Sequence, residues 1–482
     1  MINVGRQHST GKRNRLPLLL QVCSSLVCHS APNASLLVNL FLHRPSGLVE
    51  LPMMILRLSD SLSRGLVIVV ACLVAAWLSF FGIRAAIARY GADGDTVKRL
   101  ELAVRLEPEN PEYWYQLGRY QQYNIEQPDE TLAEGSYRKA IALNPLDTDA
   151  WLDLGIAYEL EGKTAEAREA YLQAKKSYPT SADVSWRYGN FLLRQGDRPH
   201  AYAELRRAVE ADPRRAEAAF SLAYRANPDI NEILQQLLPA KQGVYVDVIG
   251  LAARTNQLAV GKAVWAQLVK LHPRLTIGDV DRLAFGLLLA GEFAEARRVW
   301  DQGVATMNLP PLLEPKGSVV WDPSFESDIS NSTFSWHFRP IVQGVKIGLD
   351  RTEKHSGNQS LRLSFDGKHN PDLEAACAFG IVQPGRPYHF SGWIETKEIT
   401  TEYGIGFRLR SVEDNAVVNT RELHGSNPWT LVDQTWTAGP NIHRVQICVT
   451  REASDNPDVR ISGTAWVDDV NLVPQLVERH KP

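Results

Sequence analysis

Apolar residues keep three rhythms along this chain, and each predicts a different element. From Gly65 to Ile83, GLVIVVACLVAAWLSFFGI carries no charge. A helix of that length spans roughly 28 Å, about the hydrocarbon thickness of a bilayer, so 65–83 is predicted to be a transmembrane helix. Arg57 and Arg64 precede it and Arg84 and Arg89 follow it, so flanking charge leaves its orientation open. From 94 to 308 the apolar positions recur at helical spacing. From 318 to 476 they alternate with period two.

The helical part repeats itself. In WLDLGIAYELEGKTAEAREAYLQAKKSYP, Trp151, Leu154 and Tyr158 share one face of a first helix, and Gly155 beside them admits a neighbouring helix. Ala167, Tyr171 and Ala174 line the facing side of a second helix, Gly162 turns the chain between the two, and Pro179 stops the second. The stations recur 34 residues on, Gly155 as Gly189, Gly162 as Gly196, Ala167 as Ala201 and Ala174 as Ala208, with Pro145, Pro179 and Pro213 in step. One hairpin cannot bury its own apolar faces, so such hairpins stack into a solenoid. The register breaks at AYRANPDINEILQQLLP and recovers around Leu283, Ala284, Gly291, Ala296 and Trp300.

Pro310, Pro311 and Pro315 mark a linker over 309–317. Beyond it SLRLSF sets Leu361, Leu363 and Phe365 on one face, HRVQICV sets Val445, Ile447 and Val449, and GIGFRLR sets Ile405, Phe407 and Leu409. About eight such strands, separated by turns such as QPGRP and GSNP, predict an antiparallel β-sandwich of jelly-roll type. Phe334, Trp336 and Phe338, and Trp466 with Val470 and Leu472, are predicted to be core by their parity. The fold class is therefore multidomain: one N-terminal transmembrane helix, an α-helical solenoid and a jelly roll.

Composition narrows the function. With 52 basic and 55 acidic residues the net charge is -3, which gives no footprint for nucleic acid. Residues 1–52 hold five basic residues, one acid and no periodic apolar pattern, so they are expected to be an unstructured leader, with the natural start at Met53 or Met54. A genuine targeting extension is the competing view. The five cysteines form no CxxC pair. Cys377 and Cys448 are expected to be buried free thiols, with pairing open if this part is extracytoplasmic. No catalytic fingerprint is present and no catalytic residue is assigned, so the chain is expected not to be an enzyme.

The 34-residue pattern resembles the tetratricopeptide repeat, with Trp151, Leu154, Gly155, Tyr158, Ala167, Tyr171, Ala174 and Pro179 matching its stations. That resemblance implies a protein-binding groove lined by the first helix of each hairpin, here Tyr115, Arg119, Leu152, Ile156, Trp186 and Asn190. Arg119 and Asn190 only partly echo the family's carboxylate clamp. In the last third, DPSFE, HSGNQSLRL and GTAWVDDVNL, in that order, resemble carbohydrate-binding modules of the galactose-binding-like jelly-roll class. This implies adjacent first and last strands and a possible structural calcium, held by Glu326 with Asp468 or Asp469 and by carbonyls near Gly357. No other cofactor is implied.

For the sugar itself, YHFSGWI turns His389, Ser391 and Trp393 away from its core parity, and FRLR does the same with Arg408 and Arg410. Trp393 as a platform with His389, Arg408 and Arg410 is the candidate glycan face, and its arginines favour an acidic polysaccharide. Together the parts predict a membrane-anchored, non-enzymatic adaptor that binds protein through its repeats and glycan through its sandwich. Its expected setting is bacterial cell-envelope or exopolysaccharide assembly, with the C-terminal domains in the periplasm. The alternatives are a cytoplasm-facing scaffold whose sandwich docks a protein, and an accessory to polysaccharide processing.

Overall fold

In the computed structural model the described residues are 43–44, 47–48, 61–93, 96–124, 128–310, 317–327, 330–339, 342–454 and 459–475, with side chains from 65 onward. The leader over 1–52 and the proposed start at Met53 or Met54 lie outside them, apart from the paired two-residue strands β1 (His43–Arg44) and β2 (Gly47–Leu48). The chain forms two compact units, Met1–Thr164 and Ala165–Pro482.

In the first unit α1 runs over Ser61–Ala92, and its Gly65–Ala92 stretch holds an apolar window with a mean hydropathy of 2.7 and no buried residue. It is long and apolar enough to cross a membrane. The helix outlasts the expected 65–83 because its end is docked: Ala88 is fully buried against Leu100 and Ala103 of α2 (Val97–Leu106). Beyond it α3 (Pro111–Tyr123), α4 (Glu130–Leu143) and α5 (Thr148–Leu160) are N-capped by Asn110, Asp129 and Asp147, whose side chains accept otherwise orphaned amides. Gly118 shows why the repeat needs glycine at this station, since a Cβ there would stand 2.7 Å from the Tyr137 ring on the facing helix.

The second unit continues the hairpins with α6 (Thr164–Ser177), α7 (Ala182–Arg194), α8 (Arg198–Ala211) and α9 (Ala216–Ala226). Where the register breaks, α10 (Ile230–Glu232) runs into a π-helical turn over Ile233–Leu237 before α11 (Gln242–Arg254). Then come α12 (Leu258–Val269), α13 (Ile277–Leu289) and α14 (Phe293–Thr306). Gly196 takes a φ of +78° in its hairpin turn, the left-handed conformation that glycine adopts without penalty.

Ten strands follow. They are β3 (His337–Phe338), β4 (Val345–Asp350), β5 (Ser360–Asp366), β6 (Leu373–Ile381), β7 (Pro387–Ile399), β8 (Gly406–Ser411), β9 (Val417–Asn419), β10 (Gly425–Thr437), β11 (Arg444–Arg451) and β12 (Ser462–Pro474). Sheet I has the order β10-β7-β12-β5-β4 and sheet II the order β3-β6-β11-β8-β9, with every neighbouring pair antiparallel. Leu361, Leu363, Ile394, Leu409, Val445 and Ile447 meet between them, as their alternation requires. The segment entering the sandwich lies beside the last strand, with the Val319 amide donating to the Leu472 carbonyl at 2.9 Å.

Three expectations are corrected. Cys377 and Cys448 stand directly opposite on β6 and β11 and form a disulfide, so neither is a free thiol. Phe334 does not share a core with Trp336: residues 332–335 make a turn, which breaks the parity and sends Phe334 into the helical core while Trp336 enters the sandwich. Trp466 lies on the outer side of sheet I, because a bulge centred on Asp469 (φ +51°) shifts the parity of β12 between Trp466 and Val470. It is nonetheless buried beneath Arg362, with its indole N–H donating to Asp350 at 2.9 Å.

The last repeat and the sandwich share packing inside this unit. Trp300 meets Trp321 and Phe334 edge-on at 5.3 and 5.4 Å, and the Thr333 amide donates to Asp281 at 2.6 Å. Edge-on aromatic pairs of this kind add to the burial that joins α14 to the sandwich.

Candidate functional site

The candidate glycan residues separate onto the two outer faces of the sandwich. Trp393 and His389 belong to β7 in sheet I, Arg408 and Arg410 to β8 in sheet II, and alternation turns each pair away from the shared core. The tryptophan and the arginines therefore cannot hold one sugar between them.

On sheet II the strand register lines up His337, Cys377, Cys448, Arg408 and Asn419 in one row across five strands. Phe379, Gln446 and Arg410 form the next row. Glu374 sits among three arginines: it accepts from Arg408 at 3.3 Å, from Arg339 at 3.4 Å, and from Arg410. Arg408 also donates to Glu452 at 2.8 Å and to Asn419 at 3.0 Å, while Arg410 donates to Gln446 at 3.0 Å. His337 adds an Nε2 that is buried with no hydrogen-bond partner, its ring edge-on to Phe379. Such planar, half-buried groups, each able to donate or accept in fixed directions, match the demands of sugar hydroxyls. Residues such as Glu374, Gln446 and Asn419 were not singled out from sequence, because only strand register brings them beside the arginines.

On sheet I the Trp393 ring is covered by His355, stacked at 4.0 Å with 16° between planes, and Trp429 meets His355 at 5.7 Å. His389 lies 3.8 Å from Asp433. His355 is fixed by Asp469, whose carboxylate is 2.7 Å from its Nδ1. Trp393 thus supports a loop.

The acids implied in calcium binding also face that loop. Glu326 accepts from the Asn358 amide at 2.7 Å and the Gln359 amide at 3.3 Å, and from the Asn358 side chain at 2.7 Å. Gly357, at φ +60°, brings its backbone so close that a Cβ would fall 2.2 Å from Glu326 Oε1. Asp468 accepts from the amides of His355 and Ser356 at 2.8 and 2.9 Å, and Asp469 from the hydroxyls of Ser324 and Ser356. Burial, reinforced by Asp469, pushes the Asp468 carboxyl up to about 6 against those amide donors. The loop turns N–H groups toward these acids, where calcium needs oxygen ligands, so the arrangement does not fit the ion. Among the described residues, the set of metal-type ligands gathered within 4.8 Å is Glu374 with Cys377 and Cys448, and those sulfurs are bonded to each other.

The residues expected to line the protein groove fall in both units. In the first, the Tyr115 hydroxyl donates to Asp153 at 3.0 Å, and Arg119 lies 3.6 Å from the same carboxylate. Burial and that carboxylate raise the Tyr115 pKa. Ile156 is half-buried, but Leu152 is only 1 % exposed and cannot offer its side chain on a surface as expected, since it packs into the solenoid core. In the second unit Trp186 lies under the Arg215 guanidinium at 5.6 Å, and the Asn190 amide donates back to the Trp186 carbonyl at 2.7 Å.

The fold is a helical-repeat solenoid followed by an antiparallel sandwich, and a family model matches part of each. Residues 131–182 match the tetratricopeptide repeat family and residues 317–456 match a family described as a carbohydrate binding domain. Among solved structures, the chain is similar to MamA, with 26% identity over 25% of this chain and 69% of that one at a TM-score of 0.23. It is similar to a family 16 carbohydrate binding module, with 15% identity over 32% and 99% of the two chains at a TM-score of 0.24. A family 22 carbohydrate binding module of Clostridium thermocellum Xyn10B gives 13% identity over 34% and 97%, at a TM-score of 0.25. No curated protein matches the chain. The chain carries tetratricopeptide repeats and a carbohydrate-binding domain, both non-catalytic kinds of module, and no enzyme family is represented.

Proposed function

We propose that this is a membrane-anchored adaptor whose sandwich binds a glycan on the outer face of sheet II while its repeats bind a protein partner. The observation that carries the glycan reading is the hydrogen-bonded cluster of Arg408, Arg410, Glu374, Gln446 and Asn419 on the outer face of an antiparallel sheet. The helix over Ser61–Ala92 supplies the anchor, and its docked end at Ala88 sets the first repeats close to the bilayer surface. The Cys377–Cys448 disulfide favours an oxidising compartment and hence an extracytoplasmic sandwich. Tyr115, Arg119 and Ile156 in the first unit, and separately Trp186 and Asn190 in the second, are the candidate contacts for a protein partner. Envelope or exopolysaccharide assembly is the setting in which these three parts would be used together.

The test is a glycan-binding screen on the full chain in nanodiscs, as wild type and as an Arg410→Ala/Gln446→Ala variant. Binding that is lost in the variant supports the sheet II site. Folded protein that captures no sugar would instead make the sandwich a protein-docking module. A reporter fused after Pro482, active only outside the cytoplasm, checks the orientation.

A further inference from the structure

A second recognition site follows from where the sandwich meets the last repeat. Between the first turn of α14 and the β6–β7 turn lies an open cleft with a volume of about 340 Å³, within the size range of small-ligand sites. Its ionisable lining groups are Arg297, Arg386, His443 and Tyr388, whose hydroxyl accepts from the Gln383 amide at 2.7 Å, with no Asp or Glu among the lining residues. Arg297 stands 3.6 Å from Asp301 along its own helix, and Arg386 donates to the Gln383 side chain at 2.8 Å. Both contacts leave the arginines beside the cleft. The His443 ring is stacked on Phe293 at 5.1 Å, with the Arg444 guanidinium 6.0 Å from the same ring and fixed by Glu413 at 2.9 Å. A concave space lined by guanidinium groups and by no carboxylate favours an anion, and the planar guanidinium suits a carboxylate above all.

The position of the cleft names the ligand further. Ile381, which lines it, lies two residues beyond Phe379 on the same outward side of β6, so the cleft opens where the polar rows of sheet II end. We propose that this cleft takes the carboxylate of an acidic sugar, so that the glycan bound on sheet II is a polyuronate whose end is read jointly by the sandwich and the last repeat. The word glycan rests on the sheet II reading; the anion site rests on the cleft's own lining. It follows that the last repeat is part of the sugar site, and that the sandwich cut away from α14 loses its preference for acidic ligands.

The experiment measures calorimetric binding of free glucuronate and of glucose to the full chain, together with oligogalacturonate and its carboxyl-reduced counterpart. Wild type is expected to bind glucuronate and not glucose, and to prefer the acidic oligomer by about tenfold, the effect of one charge-assisted hydrogen bond. Arg297→Gln/Arg386→Gln removes both preferences, whereas Arg297→Lys/Arg386→Lys keeps most of them. Unchanged near-ultraviolet circular dichroism in the Gln variant excludes misfolding. Arg410→Ala/Gln446→Ala leaves glucuronate binding intact and weakens both oligomers. No glucuronate binding by wild type, or binding that survives in the Gln variant, overturns the cleft. Glucuronate binding that depends on Arg297 and Arg386, with neither oligomer bound, upholds the cleft and defeats the sheet II reading.

Discussion

The two outer faces of the sandwich start from the same alternation and end with opposite uses. On sheet I the polar and aromatic groups close on one another: His355 caps Trp393, and Asp468, Asp469 and Glu326 spend their lone pairs on the loop that carries it. On sheet II the groups lie side by side on neighbouring strands, with a buried, unpartnered His337 nitrogen at the end of a row. A face whose donors are consumed by its own loop is a brace. One whose donors are merely shared along the sheet can exchange them with a ligand at small cost.

The largest expected effect lies on sheet II. Replacing Cys377 and Cys448 with alanine opens a loop with a sequence separation of 71. The chain-entropy estimate for a loop of that size is about 4 kcal/mol, to be read from urea unfolding followed by tryptophan fluorescence. Because the disulfide joins β6 and β11 in the same row as Arg408, glycan affinity is expected to fall as well. A variant with unchanged stability would show that the antiparallel ladder alone holds this face in register.

Next in size is a pH effect confined to sheet I. In the folded chain Asp468 titrates near 6, against about 3.9 when unfolded, so between these values the folded state holds a proton that the unfolded chain has released. Stability therefore falls as pH rises through that window, by ~3 kcal/mol. Asp350 runs the other way: burial opposes its charge, yet hydrogen bonds from Thr352 and Trp466 hold it down to about 2, so its contribution is lost as pH falls below 4. Asp468→Asn is expected to abolish the slope between pH 4 and 6 and to leave the acid-side loss intact, measured by melting curves across pH. A slope that persists in the variant would place the buried proton elsewhere.

Much of this architecture is legible in the sequence. The 34-residue stations predicted the hairpins, since each glycine and alanine answers to a close helix contact such as Gly118 against Tyr137. Inward positions of the strands, from Leu361 to Val449, followed from period two. The site was half legible: alternation identified Trp393, His389, Arg408 and Arg410 as outward, but assigning strands to sheets depends on long-range pairing that no local pattern encodes. Trp466 and Phe334 failed for a related reason, because a single bulge at Asp469 and a turn at 332–335 each reset the parity on which the inference relied.

A smaller effect distinguishes the faces directly. Arg410→Ala is expected to weaken glycan binding by about tenfold, one charge-assisted hydrogen bond, while Trp393→Ala changes affinity less than about twofold. Instead, Trp393→Ala should cost about 1 kcal/mol of stability through the lost stack with His355. Calorimetric titration and melting of both variants read the two quantities separately. The reverse pattern, affinity lost at Trp393 and kept at Arg410, would return the sugar to sheet I.

The smallest effect concerns calcium. With the amides of His355, Ser356, Asn358 and Gln359 already donating to Asp468 and Glu326, an added cation finds no set of free oxygens, and a ligand stabilises a fold only as far as it binds the native state. Millimolar calcium or chelator should shift the melting midpoint by less than about one degree. A shift of several degrees would require the loop around Gly357 to flip its peptides and present carbonyls, and His355 could not then stay stacked on Trp393. Tryptophan fluorescence of Trp393 during the titration would register that departure, and sheet I would become a face that an ion can rearrange.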